Sequence, residues 1–169
     1  MLNWYAVYVN VKHEKKVTQK LCDKAIEAYS PIIKKMQQWS DRKKLVEFPM
    51  LSGYVFVKID LSKKEEVLNC AGVFAFIKFN GVEAKIKESD ITILKSIESS
   101  GYDVSVEPAG LQVSDEVEVT QGPLKGLKGK VFRFQNNEFV QIELGSIKQN
   151  IIVQLPKHSL KIITPKISI

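Results

Sequence analysis

Phe48-Pro-Met-Leu-Ser-Gly-Tyr-Val-Phe-Val-Lys-Ile59 is the stretch on which the reading of the fold turns. Pro49 fixes φ, and Ser52-Gly53 makes a turn that admits positive φ. Tyr54 to Ile59 are aromatic or β-branched apart from Lys58, the composition of a strand. Alternation places Tyr54, Phe56 and Lys58 on one face and Val55, Val57 and Ile59 on the other. Both faces are apolar for most of their length, so the strand is expected inside a sheet covered on two sides. One face is aromatic and the other aliphatic.

Working back towards the start, residues 4–11 also alternate as a strand, with Trp4, Ala6 and Tyr8 on one face and Tyr5, Val7 and Val9 on the other. From Lys12 to Ala28 the period becomes helical. Val17, Leu21, Ala25 and Ala28 form the expected buried stripe. Lys12, Lys16, Lys20 and Lys24 recur at every fourth residue beside it. Such a basic ridge is either a solvated face or a surface for phosphate. After Ser30-Pro31, residues 32–39 and 44–48 read as a basic hairpin and a mobile excursion from the domain.

Beyond the central strand, Ser62 and Glu65 have the spacing of a capping box that opens a short helix through Cys70. Gly72 closes it. Residues 73–79 read as a strand with Phe74 and Phe76 on one face, and Ser89-Asp90 begins a third helix with Ile91, Leu94 and Ile97 inward and Gly101 as its stop. These elements predict an α+β domain over residues 1–101, a mostly antiparallel four-stranded sheet with three helices. Residues 102–110, with Pro108 and Gly110, read as a linker.

The composition then shifts. Short strands at 116–120, 129–134, 139–144, 148–155 and 160–163 are separated by turns at 121–123, 136–137 and 145–146. They predict a small closed barrel over residues 111–169, since closure removes exposed edges. The loop Gly122-Pro123-Leu-Lys125-Gly126-Leu-Lys128-Gly129-Lys-Val131 spaces its glycines by four and three. It can present lysines and bare amides to phosphate; alternatively the glycines serve the turns and the lysines only solubility.

The 169 residues, 44% hydrophobic and 26% charged with a net charge of +6, describe a folded chain suited to work beside a polyanion. No apolar run approaches the roughly 20 residues of a membrane span, and Trp4 to Val9 is too short for a leader. A cytoplasmic protein is expected, with Cys22 and Cys70 as small buried thiols. His13 and His158 fall in different predicted domains. Neither a nucleophile elbow, nor HExxH, nor a phosphate-loop motif is present, so neither catalysis, a metal nor a cofactor is expected.

Trp4-Tyr5-Ala-Val, Gly53-Tyr54-Val55-Phe56-Val57 after Pro49, and Gly122-Pro123…Gly126…Gly129-Lys-Val131, taken together and in this order, resemble the NusG family of transcription elongation factors. The first domain resembles that family's N-terminal domain and the second its SH3-like KOW domain. The resemblance implies binding to the clamp helices of RNA polymerase, a position across the nucleic-acid cleft, and suppression of pausing. It also implies recruitment of partners such as Rho or a ribosomal protein through the KOW domain. A short start and Leu51-Ser52, where housekeeping members usually carry Phe-Pro, make the chain look like the specialised antitermination paralogues that serve polysaccharide operons. They tell against Rho.

Strong β propensity and the glycines argue for a barrel rather than a helical hairpin in the second domain. The chain is expected to act as a monomer, with the basic ridge on non-template DNA or nascent RNA. The helices should cover the aliphatic sheet face, leaving the aromatic one. There Trp4 and Tyr54 are expected to be mainly structural, and Tyr8, Leu51 and Phe56 to form an exposed patch that docks on polymerase. The alternative is a KOW-type RNA- or ribosome-binding protein whose main site is the glycine-lysine loop.

Overall fold

The computed structural model of the chain describes residues 1–106, 115–134 and 137–164. They form two compact units, residues 1–91 and 92–169.

In the first unit, strand β1 (Asn3–Val9) leads to helix α1 (Glu14–Asp23), the short strand β2 (Glu27–Tyr29) and a hairpin of β3 (Ile32–Gln38) and β4 (Lys43–Pro49). The central strand β5 (Tyr54–Ile59) follows, then a 3-10 turn, helix α2 (Lys64–Leu68), and strands β6 (Val73–Phe76), β7 (Lys78–Phe79), β8 (Val82–Glu83) and β9 (Lys85–Ile86). Helix α3 (Glu88–Ser100) spans the division between the units and stops at Gly101, whose φ is +73°. The main sheet has five strands rather than four, in the order β2-β5-β1-β6 with β9 also on β1. Every pairing in it is antiparallel.

The aliphatic face behaves as its sequence dictates. Tyr5, Val7, Val9, Val55, Val57 and Ile59 are buried in one core with Val17 and Leu21 of α1 and Val67 of α2. Two expectations about this layer are corrected. The first helix ends at Asp23, because Lys24 and Ala25 form a Schellman cap: Ile26 N–H donates to the Leu21 carbonyl at 3.0 Å and Ala25 N–H to that of Cys22 at 2.9 Å. Ile26 then tucks into the core beside Leu21, and the chain turns into β2 instead of continuing as helix. Second, Phe76 does not share a face with Phe74. A register shift between Tyr8 and Val9 breaks the alternation, so Phe76 enters the aliphatic core edge-on to Tyr5, while Phe74 is 66% exposed.

The capping expectation at Ser62 also moves by two residues. Asp60 is the cap, its carboxylate accepting from Ser62 N–H at 3.0 Å. Cys70 is buried as expected, whereas Cys22 is exposed.

In the second unit, β10 (Val104–Val106) takes three residues of the stretch expected to be linker and pairs with β14 (Gln149–Gln154). With β11 (Asp115–Val119), β12 (Lys128–Phe134), β13 (Asn137–Leu144) and β15 (Leu160–Thr164) they form one antiparallel path, β10-β14-β13-β12-β11-β15. Along β13 Val140, Ile142 and Leu144 are buried while Glu143 between them is exposed, the alternation of a one-sided strand. The rest of the expected linker, 107–110, the expected start of the second domain, 111–114, and the turn residue 136 lie outside the described residues.

Candidate functional site

The aromatic face of the sheet is mostly covered. Phe56 is 0% and Leu51 2% exposed, so the expected patch of Tyr8, Leu51 and Phe56 does not exist as such. The unforeseen strand β2 supplies part of the cover: Tyr29 lies directly opposite Phe56, ring centroids 6.4 Å apart. At the other end Trp4 is buried and its indole N–H donates to Glu88 at the start of α3, at 2.9 Å. Lys58 stands 3.7 Å from the same carboxylate and 5.6 Å from the Trp4 ring.

Besides Phe74, what remains at the surface is a tyrosine pair. Tyr8 is 43% exposed and faces half-buried Tyr54 across the β1–β5 ladder, ring centroids 5.3 Å apart. Two rings in contact hold each other in place, so the exposed one is presented in a defined orientation. Gly53, with φ +81°, turns the chain into β5 just before Tyr54. That turn is pinned from both sides: Val9 N–H donates to the Gly53 carbonyl at 2.9 Å, and Gly53 N–H donates to Glu14 at 2.7 Å. Glu14 is buried, and sequence reasoning missed it. The available signal was a carboxylate in the first turn of a helix otherwise rich in lysine.

The four lysines of the ridge are not equivalent. Lys16 and Lys20 lie one turn apart on α1, with Lys16 exposed and Lys20 half-buried. Lys24 is the C-cap residue, and Lys12 precedes the helix in a turn with φ +69°. Lys15, passed over in the sequence, reaches Glu47 of β4 at 2.7 Å and so ties α1 to the hairpin. The hairpin carries Trp39 at its tip, 45% exposed, with the Lys44 ammonium 4.8 Å from the ring centroid.

In the glycine-lysine loop each glycine has its own reason. Gly122 and Gly126 adopt φ of +84° and +91°. Gly129 approaches β13 so closely that a Cβ there would lie 2.6 Å from the Gln141 carbonyl oxygen. Leu124 is buried under the loop, while Pro123, Lys125 and Lys128 are exposed. Lys128 and Lys130 stand opposite Glu118 and Glu116 in the register of the β11–β12 ladder. Among the described residues, Lys125 has no such facing residue in the ladder.

A match to the NusG family, described as transcription termination factor nusG, covers residues 2–95 and so more than half of the chain. The chain belongs to the NusG family. Among solved structures, this NusG-family chain is similar to that titled "Domain interaction in Thermotoga maritima NusG". The identity is 18%, the coverage 99% of this chain and 98% of that one, and the TM-score 0.59. At that identity the likeness speaks to the fold. A structure titled "Crystal Structure of MjSpt4:Spt5 complex conformation A" aligns over 96% of this chain and 99% of that one, at 21% identity and a TM-score of only 0.33. No curated protein matches. Among the described residues of this NusG-family chain, no helix is long and apolar enough to cross a membrane, and no group of His, Cys, Asp or Glu could hold a metal ion.

Proposed function

We propose that the chain is a cytoplasmic transcription elongation factor that acts on RNA polymerase as a monomer, without catalysis of its own. In this proposal the first unit docks on the polymerase clamp, with Tyr8 as the aromatic anchor and Tyr54 as its support. Lys16, Lys20 and Lys24, with Lys12 at the helix entry, contact the non-template strand or the nascent RNA. The second unit acts as a KOW barrel that engages a ribosomal protein rather than Rho. Leu51-Ser52 in the turn before β5 favours an antitermination role at particular operons, such as polysaccharide clusters.

The observation that carries the proposal is family membership over residues 2–95, the stretch that builds the sheet bearing Tyr8 and Tyr54. Paired aromatic residues at the edge of a buried sheet face are the kind of anchor on which interfaces depend. Affinity capture of the tagged chain from lysate tests the proposal. Polymerase subunits are the expected co-purifying proteins. Ribosomal RNA or ribosomal proteins alone would contradict it and favour a KOW-type RNA- or ribosome-binding protein.

A further inference from the structure

The β3–β4 hairpin forms a two-stranded sheet of its own, and its register divides it into two unlike faces. Met36 and Leu45 are paired on one, flanked by Lys34 opposite Glu47 and Gln38 opposite Lys43. On the other, Lys35 faces Val46 and Gln37 faces Lys44. Trp39 follows two residues beyond Gln37 on that side, where the turn closes with its N–H donating to the Arg42 carbonyl at 2.8 Å. Residues 32–49 hold five cations, Lys34, Lys35, Arg42, Lys43 and Lys44, against Asp41 and Glu47. Glu47 is already bonded to Lys15.

An indole that is 45% exposed at the tip of a cationic hairpin is unexplained by packing. The Lys44 ammonium lies over the ring at 4.8 Å, close enough for a cation–π contact that steadies the indole without burying it. An aromatic ring bordered by cations is the arrangement on which unpaired bases stack while their phosphates are neutralised. We propose that the hairpin tip is a stacking platform for single-stranded nucleic acid, one base lying on Trp39 and the neighbouring phosphates meeting Lys44 and Arg42. The platform is separate from the tyrosine pair and from the α1 lysines, and it does not depend on polymerase binding. Charge decides for nucleic acid over an apolar protein surface, since Arg42, Lys43 and Lys44 lie at the same end of the hairpin as Trp39, with Asp41 the one carboxylate among them.

The test uses the full-length chain and labelled oligo(dT) and oligo(U) of about ten nucleotides, within the span of such platforms. Fluorescence anisotropy gives affinity, and tryptophan emission reports stacking, since Trp4 is buried and supplies a constant background. The expected result is quenching in the native chain that disappears in Trp39→Phe. Trp39→Ala should weaken binding about tenfold, and Trp39→Phe should retain most of it. Lys44→Ala should lower the slope of log Kd against log salt by about 0.7, one phosphate's share for a single strand. Absence of quenching in the native chain, or unchanged affinity in Trp39→Ala, overturns the proposal. So does a Trp39→Ala chain that loses polymerase in the capture experiment yet binds oligonucleotides normally, because the hairpin would then be a protein contact. Loss of polymerase capture in the native chain with quenching intact would reject the proposed function and leave the platform standing.

Discussion

Ala25 occupies the left-handed position at the end of α1, with φ +58°, where helices usually place glycine. A Cβ in that conformation costs about 1–2 kcal/mol, part of which glycine would return to unfolded-state entropy. Ala25→Gly should therefore stabilise the chain by about 0.5–1 kcal/mol, read as an upward shift of the denaturant midpoint at constant m. The same residue explains why the helical periodicity runs on past the end of the helix. Ala25 and Ala28 continue the stripe of Val17 and Leu21, and nothing in an alanine announces a positive φ. Glu14 was hidden for a related reason, because a carboxylate in a lysine-rich first turn reads as solvated until Gly53 is seen to donate to it. The glycines at 53, 122 and 126 were legible, since only their freedom fits turns at those positions.

Between α2 and the small β7–β8 hairpin, Glu83 is held by Lys64 at 2.5 Å and by Lys78 at 3.5 Å. The hydrogen bond from Lys64 is the main reason its carboxyl falls from the usual value to about 2. A carboxyl depressed on folding adds stability that is complete above its unfolded value, near pH 4.5, and is lost as pH falls towards 2. Acid melting curves should show Glu83→Gln losing stability relative to the native chain at pH 6 and converging with it near pH 2. A constant difference across that range would mean that the ion cluster contributes nothing. At this scale most strands were legible from alternation: β1, β5, the β3–β4 hairpin and the five later strands fall within a few residues of their expected places. The β7–β8 turn carries a signal that went unread. Asn80 and Gly81 both have positive φ, as a two-residue hairpin requires, and Asn-Gly is its usual sequence. The shift that separates Phe74 from Phe76 was not legible, because alternation along one strand does not show where an extra residue interrupts its pairing with another.

For the molecule as a whole, α+β organisation followed by short strands could be read from periodicity, and the family from motifs spread through both halves. Which residues of the aromatic face stand at the surface could not. Burial of Phe56 and Leu51 depends on β2 and on contacts made from elsewhere in the chain, which periodicity does not reveal. The central claim is that the first unit binds polymerase through the tyrosine pair. The most direct measurement is the affinity of purified Tyr8→Ala for a reconstituted elongation complex, with thermal melting recorded alongside. Tyr8 is 43% exposed, so stability should fall by what the ring pair contributes, about 0.5–1.5 kcal/mol, and by the partial burial of the ring, while the chain stays folded. Affinity should fall at least about tenfold, equivalent to about 1.4 kcal/mol. A folded Tyr8→Ala chain that binds polymerase as tightly as the native one would contradict the account.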